Sequence, residues 1–156
     1  AAITPKTKAF IFSTPCNPSG SVYTKAELAS LVEVFKKHPQ IIILSDEIYE
    51  FIQYEQKHES MGQFTELKDR LVIINGVAKG YAMTGWRIGY IAAPKAIVSA
   101  CNKIQGQYTS GICTIAQAAS LEAVKMSPEN SEEIQNMLKA FRNRRAFGKA
   151  LIQINF

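Results

Sequence analysis

A lysine set among small residues is the first chemically distinctive feature of the chain: Gly76-Val77-Ala78-Lys79-Gly80-Tyr81-Ala82-Met83-Thr84-Gly85-Trp86-Arg87-Ile88-Gly89. Lys79 follows the apolar run Leu71-Val72-Ile73-Ile74, and its small neighbours let a bulky group approach the backbone. An amine held where water solvates its ammonium poorly is available as a Schiff-base nucleophile. Arg87, eight positions on, is a permanent cation whose planar fork suits a phosphate. Asp46 and Tyr49 lie in Ser45-Asp46-Glu47-Ile48-Tyr49-Glu50, directly after Ile41-Ile42-Ile43-Leu44. Asn17 opens the turn Asn17-Pro18-Ser19-Gly20, after Ala9-Phe10-Ile11-Phe12. Asn17, Asp46 and Lys79 thus each stand just past the C-terminal end of an expected strand. In an open α/β sheet that edge is where the ligand crevice forms.

Each of these residues also has a plainer reading when taken singly. A lysine after a strand is commonly a surface charge, and an aspartate there often caps a helix. Asn-Pro and Ser-Gly pairs mark turns in many proteins, and Arg87 fits an ordinary exposed strand position. Trp86 and Tyr81 read as packing groups, and Glu47 as structural. The glycines do not form a P-loop, because no Gly-Lys-Ser/Thr follows them.

Taken together, the order and separations of these segments resemble the class I (fold type I) pyridoxal-phosphate-dependent aminotransferases, and within them the bacterial aspartate aminotransferase branch. The resemblance runs over nearly all of the chain. It implies that Lys79 holds pyridoxal 5'-phosphate through a Schiff base and shuttles the proton between Cα and C4′. It implies Asp46 at the pyridine nitrogen, Tyr49 and Asn17 at the phenolic oxygen, Arg87 at the phosphate, and Asn17 also at the substrate carboxylate. Lys79, Asp46 and Tyr49 are the catalytic residues on this reading. The expected activity moves an amino group from an amino acid to a 2-oxo acid by a ping-pong route, in a cytoplasmic homodimer. The same residues serve a pyridoxal-phosphate lyase or synthase, and a non-catalytic α/β binding module would keep only the fold. The chain departs from many relatives in one place. A serine that bonds the phosphate stands three residues before the lysine in them, and Gly76 stands there here.

The elements that must position these groups follow from periodicity. Short apolar runs alternate with amphipathic stretches, as in a sheet built from crossovers. Thr24 and Glu27 form a capping box, and Leu28, Leu31, Val32 and Phe35 give the helix behind it one apolar face. Pro39 closes it. Ile41 to Leu44 is apolar at consecutive positions, which predicts a strand covered on both faces. Leu71 to Asn75 and Arg87 to Ala93 are the next two strands. Their glycine-rich link is too short for a helical crossover, so the last strand is expected to run antiparallel. Pro94 suits the first turn of a helix with Ile97, Cys101 and Ile104 on one face. A second helix covers Thr114 to Met126, and a third begins near Ser131, with Ile134, Leu138 and Phe141 spaced to pack. The resemblance makes this one part of a three-layer, mostly parallel large-domain sheet. Residues 1–127 are its C-terminal half, and 128–156 begin a helix leading to a small domain. It also implies a cis Asn17-Pro18 bond. The ends look cut, so the expectation is a fragment that self-associates and is not a competent enzyme alone.

With 156 residues, 47% hydrophobic and 20% charged, the chain suits one folded domain rather than a disordered segment. No apolar run approaches the roughly 20 residues of a membrane span, and Ala1-Ala2-Ile3-Thr4-Pro5-Lys6 has no signal-peptide core. The net charge of +5 is dispersed except at Arg142, Arg144 and Arg145. Those arginines read as a solvated helix face, because neither a recognition fold nor interleaved aromatics point to nucleic acid. Cys16, Cys101 and Cys113, with His38 and His58, show no zinc-ligand spacing and read as free thiols.

Overall fold

The computed structural model describes residues 2–154, with the side chains of residues 2–150. Four strands, β1 (Ala9–Ser13), β2 (Ile42–Asp46), β3 (Leu71–Asn75) and β4 (Tyr90–Ala92), lie side by side in sequence order. β1, β2 and β3 are parallel, and β4 pairs antiparallel with β3 through Ile73–Ala92, Ile74–Ile91 and Asn75–Tyr90. The direction of β4 agrees with the short glycine-rich link. The strand is shorter than expected because Arg87 adopts a left-handed backbone (φ 56°), which an extended ladder does not accept.

The crossover from β1 to β2 is the helix α1 (Lys25–Lys36). Its start is fixed by the full capping box: the Glu27 amide donates to Thr24 Oγ1 at 3.2 Å, and the Thr24 amide donates to Glu27 Oε2 at 2.8 Å. Leu28, Val32 and Phe35 are fully buried, as their spacing requires. They cover the sheet face of Phe10, Ile43 and Leu71, which stand in one row across β1, β2 and β3. Met61 and Leu67, from short 3-10 turns between β2 and β3, complete this core. Each such side chain contributes on the order of 1.5–3 kcal/mol on burial. Arg70 finishes the layer by donating to the carbonyls of Phe35, His38 and Ile41 at 2.7–3.0 Å, which ties the end of α1 to the entry of β2.

The opposite face of the sheet is only partly covered. Val72, on that face by its pairing with Leu44, is buried, whereas Ile42 and Ile11 stay 39% and 69% exposed, so β2 is covered less on this side than on the other among the described residues. The helices α2 (Lys95–Tyr108), α3 (Thr114–Lys125) and α4 (Glu132–Ile154) follow β4. Pro94 is the residue before α2 rather than in its first turn. The apolar stripe expected on α2 is not packed: Cys101 and Ile104 are exposed, and no residue of the helix is fully buried. α4 does bury Ile134 and Leu138.

Candidate active site

Strand register brings the chemistry-bearing segments level. Ser13 stands opposite Asp46, and Asp46 opposite Ile74, so β1, β2 and β3 deliver their following turns to one edge. Backbone bonds continue the ladder past the strand ends, Thr14 N to Asp46 O at 3.0 Å and Glu47 N to Ile74 O at 2.9 Å. Asp46 shares the less covered face with Ile42 and Leu44 by alternation. Its Oδ1 accepts from the Ile48 amide at 3.1 Å, which starts the turn that presents Tyr49.

Tyr49 is the meeting point. Asn17 Nδ2 donates to its hydroxyl at 3.2 Å, across the two turns. Lys79 Nζ stands 5.7 Å from its ring centroid, within cation–π range. The Asn17 turn is closed by Gly20 N to Cys16 O at 2.7 Å, with Gly20 at φ 70°, a position that favours glycine. The Asn17-Pro18 bond is cis, as is Thr14-Pro15.

The Lys79 turn is held by close backbone approach on both sides. A Cβ on Gly76 would lie 2.8 Å from the Ile88 carbonyl oxygen and 3.0 Å from Gly89 Cα. A Cβ on Gly80 would lie 2.6 Å from the Phe51 ring. These contacts explain the small residues around the lysine.

Lys79 opens into a cavity of about 410 Å³ with Tyr49, Ala78, Thr84 and Phe141. Tyr49 also lines a second cavity of about 400 Å³, with Asn17, Tyr54 and Arg145. Both are of the size that small ligands occupy. Asp46 does not line either one. Arg87 lies in a third, larger cavity of about 800 Å³ formed with Trp86, Gln105 and Thr109, and Ala82 is common to it and the Lys79 cavity. Arg87 Nη1 donates to the Thr84 carbonyl at 3.0 Å. The structure therefore joins Asn17, Tyr49 and Lys79 directly, leaves Asp46 at the strand end outside both cavities, and sets Arg87 in the adjoining hollow.

Arg145 and Tyr54 are lining residues that sequence reasoning passed over. Arg145 donates to Glu55 at 2.6 Å and lies 5.2 Å over the Tyr54 ring, so one of the three clustered arginines is pinned to the cleft rather than simply solvated. Arg142 likewise donates to the Gln53 carbonyl at 3.3 Å. The Arg145 guanidinium draws the Glu55 carboxyl below its usual range, and Glu55 raises Arg145 in turn. The cluster of basic residues was the available signal; its partner lies on a loop far away in the chain.

Glu47 is buried behind the site, as its structural reading anticipated. Its carboxylate accepts from Ser45 Oγ at 2.9 Å, the Met61 amide at 2.9 Å and His58 Nε2 at 3.0 Å. Burial alone would push this carboxyl up. Hydrogen bonds from His58, Ser60, Met61 and Ser45 together outweigh it and hold the group below the ordinary carboxylate range. Among the described residues no group of His, Cys, Asp and Glu could hold a metal ion.

A mixed α/β sheet with reactive side chains gathered at the C-terminal ends of its parallel strands defines a ligand-binding α/β domain. Residues 1–154 match the family model for aminotransferase class I and II, and the chain belongs to that family. It is 48% identical over 147 residues to an aspartate/prephenate aminotransferase of Cereibacter sphaeroides, covering 93% of this chain and 36% of that protein. It is 42% identical over 146 residues to a bifunctional aspartate aminotransferase and glutamate/aspartate-prephenate aminotransferase of Petunia hybrida, covering 93% of this chain and 30% of that one. The fold superposes on an aspartate aminotransferase from Rhizobium meliloti with a TM-score of 0.87 at 37% identity, over 93% of this chain and 36% of that structure. The chain therefore spans about a third of the length of the relatives it matches.

Proposed function

We propose that the chain is part of a pyridoxal-phosphate-dependent aminotransferase of the aspartate aminotransferase type, moving an amino group from an amino acid to a 2-oxo acid. The observation that carries this reading is the Asn17–Tyr49–Lys79 cluster at the level strand ends, inside a chain that matches the family along its length. In residue type, the donor set has a counterpart for each group of the cofactor. It offers an amine for the aldehyde, a carboxylate for the ring nitrogen, a phenol and an amide for the phenolic oxygen, and a guanidinium for the phosphate. Pyridoxal phosphate, when bound, supplies an electron-withdrawing ring that accommodates negative charge developing at the substrate Cα.

The work of the chain's own residues follows from their chemistry. Lys79 Nζ would hold the cofactor and, as a free amine, would be the base that takes and returns the proton at the substrate Cα. The Asp46 carboxylate keeps a proton on the ring nitrogen. Tyr49 and Asn17 orient the ring through its phenolic oxygen, and Asn17 also receives the substrate carboxylate. Arg87 would hold the phosphate. Residues 1–127 form part of the cofactor-binding domain, and α4 leads from it towards a small domain. Exposed apolar residues on α2 and α3, Ile104, Tyr108 and Ile115, support a homodimer. The free thiols of Cys16, Cys101 and Cys113 support a reducing cytoplasm.

The test uses the full-length protein loaded with cofactor. Adding aspartate should remove the visible absorbance of the bound cofactor, and a 2-oxo acid should then restore it. A lyase would return to its starting absorbance without any 2-oxo acid, because it leaves no amino group on the cofactor. No response to any amino acid would contradict the proposal.

A further inference from the structure

Asn75 is the last residue of β3 and immediately precedes the turn that carries Lys79. It is only 8% exposed, and both sides of its amide are used. Nδ2 donates to Glu50 Oε1 at 2.8 Å, and Oδ1 accepts from the Gly76 amide at 2.7 Å. Glu50 is the residue after Tyr49. A single side chain therefore spans the segment bearing Asp46 and Tyr49 and the segment bearing Lys79, at the place where the ladder between β2 and β3 has ended. Two neighbouring contacts run the same way: Glu47 N to Ile74 O at 2.9 Å, and the Phe51 ring against Gly80.

The residue type is specific. An aspartate would set a second carboxyl against Glu50, and a leucine would leave both Glu50 and the Gly76 amide without partners. Burial pushes the Glu50 carboxyl up, and the Asn75 hydrogen bond opposes that rise. The groups facing Glu50 are Asn75, Glu47 and His58, together with Tyr81 and Tyr90, whose hydroxyls burial also pushes up.

We propose that Glu50 and Asn75 are a positioning pair that fixes the Lys79 amine relative to the Tyr49 ring by locking the two active-site turns together. Its consequence for turnover rests on the reading of Lys79 given above; its consequence for the lysine's environment does not.

The experiment compares the full-length protein with Asn75→Asp and with the exchanged pair Glu50→Gln plus Asn75→Asp. The exchange again sets a donor opposite an acceptor and keeps an acceptor for Gly76. Asn75→Asp should lower kcat at least about tenfold with KM for the amino acid moved less than about twofold, and the exchange should recover to within about threefold. In cofactor-free protein, the rate at which trinitrobenzenesulfonate labels Lys79, read by peptide mass spectrometry, should change at least about threefold in Asn75→Asp and return in the exchange. Should Asn75→Asp not fold, Glu50→Leu, which keeps the Asn75 bond to Gly76, serves as the broken pair. If Lys79 has no cofactor role, the labelling change and its recovery still appear without any turnover. A folded broken pair with unchanged Lys79 labelling, or an exchange no better than the single variant, overturns the proposal.

Discussion

Tyr49 joins two residues that are distant in sequence, its hydroxyl bonded by Asn17 and its ring beneath the Lys79 amine. What keeps Lys79 there is partly the absence of side chains around it, and Gly76 shows this most clearly. With only 2.8 Å between its built Cβ and the Ile88 carbonyl oxygen, the serine found at this place in many relatives has no room unless backbone moves. We expect Gly76→Ser to cost on the order of 1–3 kcal/mol, as overpacking does, and to weaken cofactor retention. Denaturant midpoints and dialysis of the loaded full-length protein measure the two effects, and an unchanged midpoint would show that the Ile88–Gly89 segment yields freely. The arrival of Asn17, Asp46 and Lys79 at one edge was legible in the sequence because each follows an apolar run that forms a strand of the same parallel set. Arg145 and Tyr54 were not, because their contact with the cleft joins α4 to a remote loop and leaves no local pattern. The hollow that takes Arg87 was equally hidden. The left-handed backbone at Ala82 and Arg87 (φ 54° and 56°) is not something a non-glycine sequence announces.

At the scale of elements, the turn after β2 depends on Glu47 as much as on the strand itself. Its carboxyl lies below the unfolded value, so the stability it lends is present above that value and is lost as pH falls through the folded one. Glu50 acts with the opposite sign: its raised carboxyl favours the folded state more as pH falls. The two are separated by substitution. Glu47→Gln should cost about 1–3 kcal/mol at neutral pH and flatten the acid limb of the stability profile below about pH 5. Urea unfolding across that range checks it, and a variant that keeps the full acid dependence would move the effect to another group. α1 was readable down to its cap, because Thr24, Glu27 and the buried Leu28, Val32 and Phe35 all obey one helical register. β4 was readable in direction from the length of its link. α2 shows where periodicity stops: Cys101 and Ile104 recur at helical spacing yet remain exposed, since spacing defines a face and not what covers it.

At the scale of the whole molecule, one side of the sheet is a finished core and the other presents Ile11, Ile42 and the Asp46 edge. The apolar run of β2 looked doubly covered in sequence because consecutive isoleucines carry no record of which neighbour lies on each face. The site stands on this less covered side, at strand ends held level by register and by the bonds from Thr14 to Asp46 and from Glu47 to Ile74. The proposed activity depends on Lys79 being the residue that holds the cofactor. The direct measurement is borohydride treatment of the cofactor-loaded full-length protein, followed by proteolysis and mass spectrometry. The account predicts a single pyridoxyl-modified peptide containing Lys79, absent in Lys79→Ala. Modification at a different lysine, or none in a protein that still transaminates, would contradict it.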